Sequence, residues 1–362
     1  MSAEIELKLL VNREFATFLS KEMASFNVLS HTQQVLGNCY YDSDDYFFSS
    51  QRMGLRVRTE NERFILTLKT DGKVVGGLHM RPEYNVDLVD AVPRLDGLSA
   101  FSDLSLSRPL EQLQAALKPI FSTDFLRQAW IIELGNGANI EVALDQGEIE
   151  AGEKLEPICE AEFELKHGSV DDLLTFVEHL SLTDGIRLGA ASKAKRGYQL
   201  AGVLSLKPFD WQNAWQPFLE QIDQQDSYQQ EKRAVLSQLL AYEQKLVEYY
   251  AERVNKHPRS AEELNSALQA FFQLYDYYEQ HQDLLWLVYQ QQIESINLQK
   301  IRLDQELLEE FSELNRRLLA KVIELQQNLS MEHSVKTQRL YDLLHRGSGV
   351  KRQIALIKLT FS

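Results

Sequence analysis

The feature that most constrains this chain is an alternation of charged and apolar residues at period two, in which the charges are sorted by sign. Glu4, Glu6 and Lys8 alternate with Ile5, Leu7 and Leu9. An extended backbone therefore projects three charges from one face and three apolar side chains from the other. Taken alone, this describes a strand with a solvated face. The arrangement returns in Arg56 and Arg58, Thr67 and Lys69, Arg81 and Glu83, Glu141 and Asp145, and Glu160, Glu162 and Glu164. Acidic segments stand at both ends of the region and mainly basic ones between them, whereas solvated faces usually mix signs. If the strands close into a barrel with their apolar faces outward, the charges line the interior, where unpaired ions are severely destabilising. A bound polyanion can neutralise the Arg and Lys groups, and clustered carboxylates are hard oxygen ligands for Mg²⁺ or Mn²⁺. That pairing describes a phosphoryl-transfer site.

Eight segments read as strands, at about 4–11, 54–58, 64–70, 77–86, 129–134, 139–145, 148–151 and 158–165. That number is enough to close a barrel. Asp71-Gly72 and the run from Gly135 to Gly137 are hairpin signals, so most pairing is expected to be antiparallel. Asn12 and Ser169 read as caps of amphipathic helices that carry Phe15, Phe18, Leu19 and Met23, and Leu173, Leu174, Val177 and Leu180. These helices are expected to cover the outside or the ends of the sheet. No glycine occurs between Gly202 and Gly347, and a stretch so rich in Leu, Gln, Glu and Ala reads as helix after helix. The expected fold is α+β, with a first domain at 1–202 and a helical one at 203–362. One helix is expected at about 228–254, before Pro258, and Ser260 with Glu263 forms a capping-box pattern for the next. A further helical region runs to about 328, and its apolar stripe, which includes Ile296, Leu298, Ile301 and Phe311, calls for a bundle or a long hairpin.

Composition excludes several classes. With 44% hydrophobic and 25% charged residues the chain is not disordered. A formal net charge of −15 repels nucleic acid and anionic membranes, so an anionic ligand must be held by a local basic cluster. Cys39 and Cys159 are the only cysteines, too few for a disulfide framework and in keeping with a reducing compartment. The first ten residues lack the apolar core of a signal peptide, and no stretch approaches a membrane span. The expected location is cytoplasmic. Neither a Walker A sequence nor a zinc-ligand spacing is present.

Glu4-Ile5-Glu6-Leu7-Lys8 matches the ExExK signature of the CYTH superfamily, the triphosphate tunnel metalloenzymes. Leu55 to Arg58, the Lys69 segment, Gly76 to Tyr84, Phe121 to Arg127, Glu141 to Glu148, Glu160 to Glu164 and Ser192-Lys193 follow in the same order. Over about residues 1–200 the chain resembles that family, and most of all the bacterial inorganic triphosphatases that carry a CYTH domain before a helical CHAD-type domain. The resemblance implies an eight-stranded antiparallel tunnel with flanking helices, which binds a linear triphosphate end-on with one or two divalent cations. It implies that Glu4, Glu6, Glu160 and Glu162 bind metal, with Asp145 and Glu164 in support. Lys8, Arg56, Arg58, Lys69, Arg81, Arg127 and Lys193 would hold phosphates, and Lys8, Glu4 and Glu6 would be catalytic.

Other residues carry less. Glu141 and Asp145 also fit a structural ion pair across the sheet, His79 fits a packed histidine, and Lys195 and Arg196 read as surface or hairpin-stabilising charges. The region 203–362 is shorter than a full CHAD domain and acidic, without a clear cluster of that family's basic and histidine motifs. It is matched by position and helicity, as a degenerate or shortened relative. Its charges from Arg253 to Arg259 and from Lys351 to Lys358 suit helix ends and solvation better than an anion patch. Tyr249, Tyr250, Phe271, Phe272, Tyr275, Tyr277, Tyr278 and Trp286 are expected to build the bundle core. Three activities fit: inorganic triphosphatase; hydrolase or cyclase acting on an organic triphosphate such as thiamine triphosphate or ATP; and a non-catalytic polyphosphate-binding scaffold. A polyphosphate or protein partner of the helical region is open, as is the oligomeric state.

Overall fold

Alternation at period two builds the strands of the first half: β1 (Ala3–Val11), β2 (Val28–Asp42), β3 (Gly54–Glu60), β4 (Arg63–Lys69), β5 (Lys73–Val75), β6 (Leu78–Leu88), β7 (Lys118–Glu133), β8 (Asn139–Ala151) and β9 (Lys154–His167). In the computed structural model, which describes residues 3–205, 210–225, 232–254, 261–294 and 305–360, eight of these form a closed antiparallel ring. Its order is β1-β9-β8-β7-β2-β3-β4-β6, and β6 returns to β1 through pairs such as Glu4 with Arg81. Closure leaves no free strand edge in the ring.

The eight strands are not all the expected ones. The 15-residue β2 has no amphipathic signature in its first half because Val28 to Leu36 pairs with β7 alone and is largely exposed on both faces. Only from Leu36 onward does burial alternate, where β2 also meets β3. The two segments expected at 139–145 and 148–151 are one strand, β8. Gly147 marks a close approach there, not an end: a Cβ would lie 2.1 Å from the Asp124 carbonyl oxygen and 2.4 Å from the Phe125 Cα. The Gly135 to Gly137 turn forms as expected, with Gly137 at φ +86°.

The described residues of Met1–Val74, Leu78–Gly168 and Ala191–Leu206 form one compact unit, and those of Val75–Gly77, Ser169–Ala190 and Lys207–Ser362 a second. In the first, the outward residues Leu55, Val57, Leu66, Leu68 and Tyr84 pack beneath Phe47, Phe48, Leu95, Leu98 and Leu113. Helix α1 (Arg13–Glu22) is capped by Asn12, whose side chain accepts from the Phe15 N–H. The short helices α2 (Phe47–Ser50) and α3 (Leu110–Ala116) supply parts of the outer cover. The inward face is apolar over part of its length: Leu36, Tyr40, Phe121, Phe125, Ile149 and Ile158 enclose Tyr198.

In the second unit, α4 (Val170–His179) starts on the Ser169 cap, with Asp172 completing a capping box. Then come β10 (Ile186–Leu188), α6 (Trp211–Gln225), α7 (Lys232–Val254), α8 (Ala261–Gln280), α9 (Gln282–Glu294), α10 (Gln305–Gln327), α11 (His333–Leu344) and α12 (Gly347–Thr360). The helix between α4 and α6 in sequence, α5 (Lys193–Leu200), belongs to the first unit. Tyr250, Phe271, Tyr275 and Tyr278 are buried as expected, while Tyr249, Phe272, Tyr277 and Trp286 keep partial exposure. The Lys351 to Lys358 run is not a solvated helix end. Arg352 is fully buried, bonded to Glu243 at 2.6 Å and set over the rings of Tyr275, Tyr278 and Phe311, and Lys358 pairs with Glu178. Pro258, the Ser260 cap, the Ile296, Leu298 and Ile301 part of the stripe, and the basic run beyond the Arg253 backbone lie outside the described residues. No described helix is long and apolar enough to cross a membrane.

Gly147→Val should overpack the β7–β8 contact and destabilise the protein by about 1–3 kcal/mol, read as a lower urea midpoint with an unchanged slope.

Candidate functional site

The register of the ring decides which charges meet. Asp145 faces Arg127 on β7 and Glu160 on β9, Lys8 faces Glu162, and Glu6 faces Glu164. Asp145, Glu160 and Glu162 each place an oxygen within 4.8 Å of the others, and all three are buried. Their charge is met at once by cations. Arg127 grips Asp145 through Nε and Nη2, both at 2.7 Å, and reaches Glu162 at 2.6 Å. Lys8 lies 2.9 Å from Glu162 and 3.4 Å from Glu160. Lys193, on the first turn of α5, meets Asp145 at 2.6 Å, Glu162 at 3.0 Å and also Glu160.

These pairings outweigh the cost of burial. Burial opposes ionisation of Glu162 and Asp145, yet Lys193, Lys8 and Arg127 hold Glu162, and Arg127 and Lys193 hold Asp145, below the ordinary carboxylate range. Burial likewise opposes the charge on Lys8, and Glu160 and Glu162 reverse it.

A second group stands on β1, β4 and β6. Lys69 bridges Glu4 at 2.5 Å and Glu83 at 3.0 Å. Burial raises Glu4 to about 7, against the pull of Lys69 and with help from Glu6 and Glu83. Partial burial opposes the charge on Glu83 as well, but Lys69 and Arg56 hold it below the usual range. Glu164 and Glu141 share Lys166, at 2.8 and 3.4 Å. Burial raises Glu164.

Among the described residues Arg56, Arg58 and Arg81 make no ion pair. Burial, followed by the neighbouring charges of Arg56 and Arg127, lowers Arg58 to about 9. Its Nε donates to Asn38 at 3.1 Å, and the Asn38 amide in turn donates to Thr123. The Arg56 Nε is buried with no hydrogen-bond partner. Arg81 faces Glu4 in register, and its side chain packs so closely on Gly72 that a Cβ there would lie 2.8 Å from Cγ.

All the expected site residues thus project from the inward face or from α5. Sequence reading missed three. Asn38 and Tyr40 sit on the unrecognised β2, opposite Arg58 and Arg56. Arg196 is a correction: it is buried, not a surface charge, and bonds to Glu156 at 2.9 Å and Glu160 at 3.3 Å. Its spacing of three from Lys193, after the Ser192 cap, was the available signal. Lys195 is exposed as expected, and His79 is buried opposite Glu6.

The family model for the CYTH domain matches residues 2–198. The inorganic triphosphatase of Haemophilus influenzae is 42% identical over 290 residues, which cover 79% of this chain and 79% of that protein. Among solved structures, a Hippeastrum protein with a dominant triphosphatase activity is 19% identical over 54% of this chain and 95% of its own, with a TM-score of 0.39. An inorganic triphosphatase of known crystal structure is 18% identical over 57% of this chain and 99% of its own, with a TM-score of 0.24.

Because Glu4 binds its proton more tightly in the fold than its ordinary 4.5, its ionisation removes stability as pH rises from about 4.5 to about 7. In excess chelator, Glu4→Gln should therefore lose less thermal stability than the parent protein between pH 5 and 7; equal losses would contradict the assignment.

Proposed function

The chain belongs to the CYTH family, and on that footing we propose that it is a metal-dependent hydrolase that splits inorganic triphosphate into diphosphate and phosphate within the charged ring. The observation that carries this reading is the set of inward cations with no carboxylate contact. Arg56 and Arg58 are half-buried, meet no carboxylate among the described residues and stand two residues apart on one face of β3, with Arg58 held only by the neutral Asn38 and the Nε of Arg56 an unmet donor. A row of half-buried donors of that kind is stable and useful only when an anion of several charges fills it.

In this reading Lys8, Arg56, Arg58, Lys69, Arg81, Arg127 and Lys193 bind the phosphates. Glu4, Glu6, Glu160 and Glu162 hold one or two divalent cations, with Asp145 and Glu164 in support. Part of the donor set fits: Glu160, Glu162 and Asp145 converge within 4.8 Å and offer the hard oxygens that Mg²⁺ or Mn²⁺ takes, whereas Glu4 and Glu6 stand outside that cluster, Glu4 beside Lys69. When bound, such a cation neutralises phosphate oxygens and lowers the pKa of water. Lys8 and Lys193 pair with those same carboxylates, so a cation held there would compete with both ammonium groups and leave them free to meet phosphate oxygens. Water attacks the terminal phosphorus as the bond to the bridging oxygen breaks. The arginines stabilise the charge that gathers on the departing diphosphate, and Lys8, Glu4 and Glu6 carry the catalytic contacts.

The division at 202 is kept as part of this reading, with 203–362 a shortened CHAD-like helical domain able to hold a polyphosphate or protein partner. The free thiols of Cys39 and Cys159 support a cytoplasmic enzyme.

Phosphate release should be measured from inorganic triphosphate, ATP, thiamine triphosphate and long-chain polyphosphate, with Mg²⁺, Mn²⁺ or chelator. Rapid metal-dependent release from inorganic triphosphate alone is expected. Preference for an organic triphosphate, or tight polyphosphate binding without turnover, would overturn it. Lys8→Ala and Arg58→Ala should each lower kcat/KM by about 100-fold or more; Arg58→Ala, which breaks no ion pair, should do so with little loss of fold, and Lys8→Ala with a lowered Tm as well, because Glu160 and Glu162 lose a buried partner. Glu4→Gln should abolish metal-dependent turnover, and unchanged kinetics in all three variants would sink the residue roles.

A further inference from the structure

Helix α5 brings Lys193 and Arg196 to the carboxylates, yet it is only eight residues long and follows an irregular connection. Something must set its depth and rotation. Its next face carries Tyr198, which enters the apolar part of the inward surface and lies edge-on to Phe121, with ring centroids 5.2 Å apart. Gly197 permits that approach, since a Cβ would meet the Phe121 ring at 2.0 Å. These contacts are apolar and do not define an angle.

The directional contact comes from Asp42, the last residue of β2, which is wholly buried. One oxygen accepts from the N–H groups of Ser43 at 2.8 Å and Phe48 at 2.9 Å. The other accepts from the Ser49 N–H at 2.9 Å and from the Tyr198 hydroxyl at 2.9 Å. Three backbone donors fix the carboxylate rigidly to the ring and to α2. Its fourth acceptor position is directed at α5. An asparagine cannot replace it, because whichever end carries the amide NH₂ faces a backbone donor, the Ser49 N–H at one end or those of Ser43 and Phe48 at the other.

We propose that Asp42 is a positioning residue for the site: through the Tyr198 hydroxyl it sets where α5 presents Lys193 to substrate. The inference rests on the triphosphatase reading for its kinetic consequence, but not for its structural one. Asp42 touches neither substrate nor metal. Its effect is transmitted over the five residues from Tyr198 back to Lys193, which the helix keeps in fixed relation.

The test uses the full chain with Tyr198→Phe, which keeps the ring and removes only the hydroxyl; Asp42→Asn is a second variant, useful where it folds. The kinetic constants for inorganic triphosphate with Mg²⁺ are measured well below each variant's Tm, in parent and Lys193→Ala backgrounds. The reactivity of Lys193 toward an amine-acylating reagent is followed by mass spectrometry without substrate. Tyr198→Phe should raise KM about tenfold with kcat little changed, and should add nothing in the Lys193→Ala background, where the coupling has been removed. Lys193 should also be acylated several-fold faster. A lowered Tm with unchanged KM and unchanged Lys193 reactivity would reduce the contact to a structural one and overturn the proposal. So would a full effect that persists without Lys193. Absence of turnover in the parent protein would refute the triphosphatase reading alone, and the acylation rates would still decide the role of Asp42.

Discussion

Closing a ring of strands around a row of charged side chains withdraws those charges from water, and everything in the first unit answers that constraint. An ionised group in such a place destabilises the fold by several kcal/mol unless an opposite charge and hydrogen bonds replace its hydration. On β8 and β9 the replacement is internal: Asp145, Glu160 and Glu162 are held by Arg127, Lys8 and Lys193. On β3 it is left incomplete, because Arg56 and Arg58 have no carboxylate in contact. The ring therefore holds paired charges on β8 and β9, and around Lys69, and arginines without a carboxylate on β3. In the proposed function that asymmetry is what seats the anion.

The β8 and β9 side is also the side that a divalent cation would enter. Its three carboxylates converge closely enough for chelation, and they are occupied by lysine ammonium groups, which are flexible and re-orient more readily than the planar fork of Arg127. Lysines at this place keep the carboxylates paired and leave them exchangeable. Arginine at Arg127, with two parallel bonds to Asp145, supplies the fixed frame. Helix α5 is not merely cover, since both Lys193 and Arg196 pair with the inward carboxylates.

Much of this was legible in the sequence, for a physical reason. Where a strand is buried outside and charged inside, as in β1, β3 and β9, alternation is strict and names the inward residues one by one: Glu4, Glu6, Lys8, Arg56, Arg58, Glu160, Glu162. Where the ring departs from that condition, the signal fails. The first half of β2 is exposed on both faces, and in its second half the buried positions Leu36, Asn38, Tyr40 and Asp42 mix apolar and polar residues and so give no alternation of polarity; Asn38, Tyr40 and Asp42 were therefore invisible. Gly147 looked like an end because a close backbone approach and a turn call for the same residue. Arg196 was misread because a charge beside two other charges is usually solvated, and only the helical spacing from Lys193 said otherwise. The same applies to Arg352 in the helical unit, whose burial depends on Glu243, over one hundred positions away.

A crystal structure of the protein with inorganic triphosphate and Mn²⁺, collected at an energy where manganese scatters anomalously, tests the central claim most directly. The account predicts phosphate density against Arg56, Arg58 and Lys8 inside the ring, with an anomalous peak on the inward carboxylates and Lys8 and Lys193 turned from those carboxylates to phosphate oxygens. An empty ring, or triphosphate and manganese held elsewhere on the molecule, would contradict it.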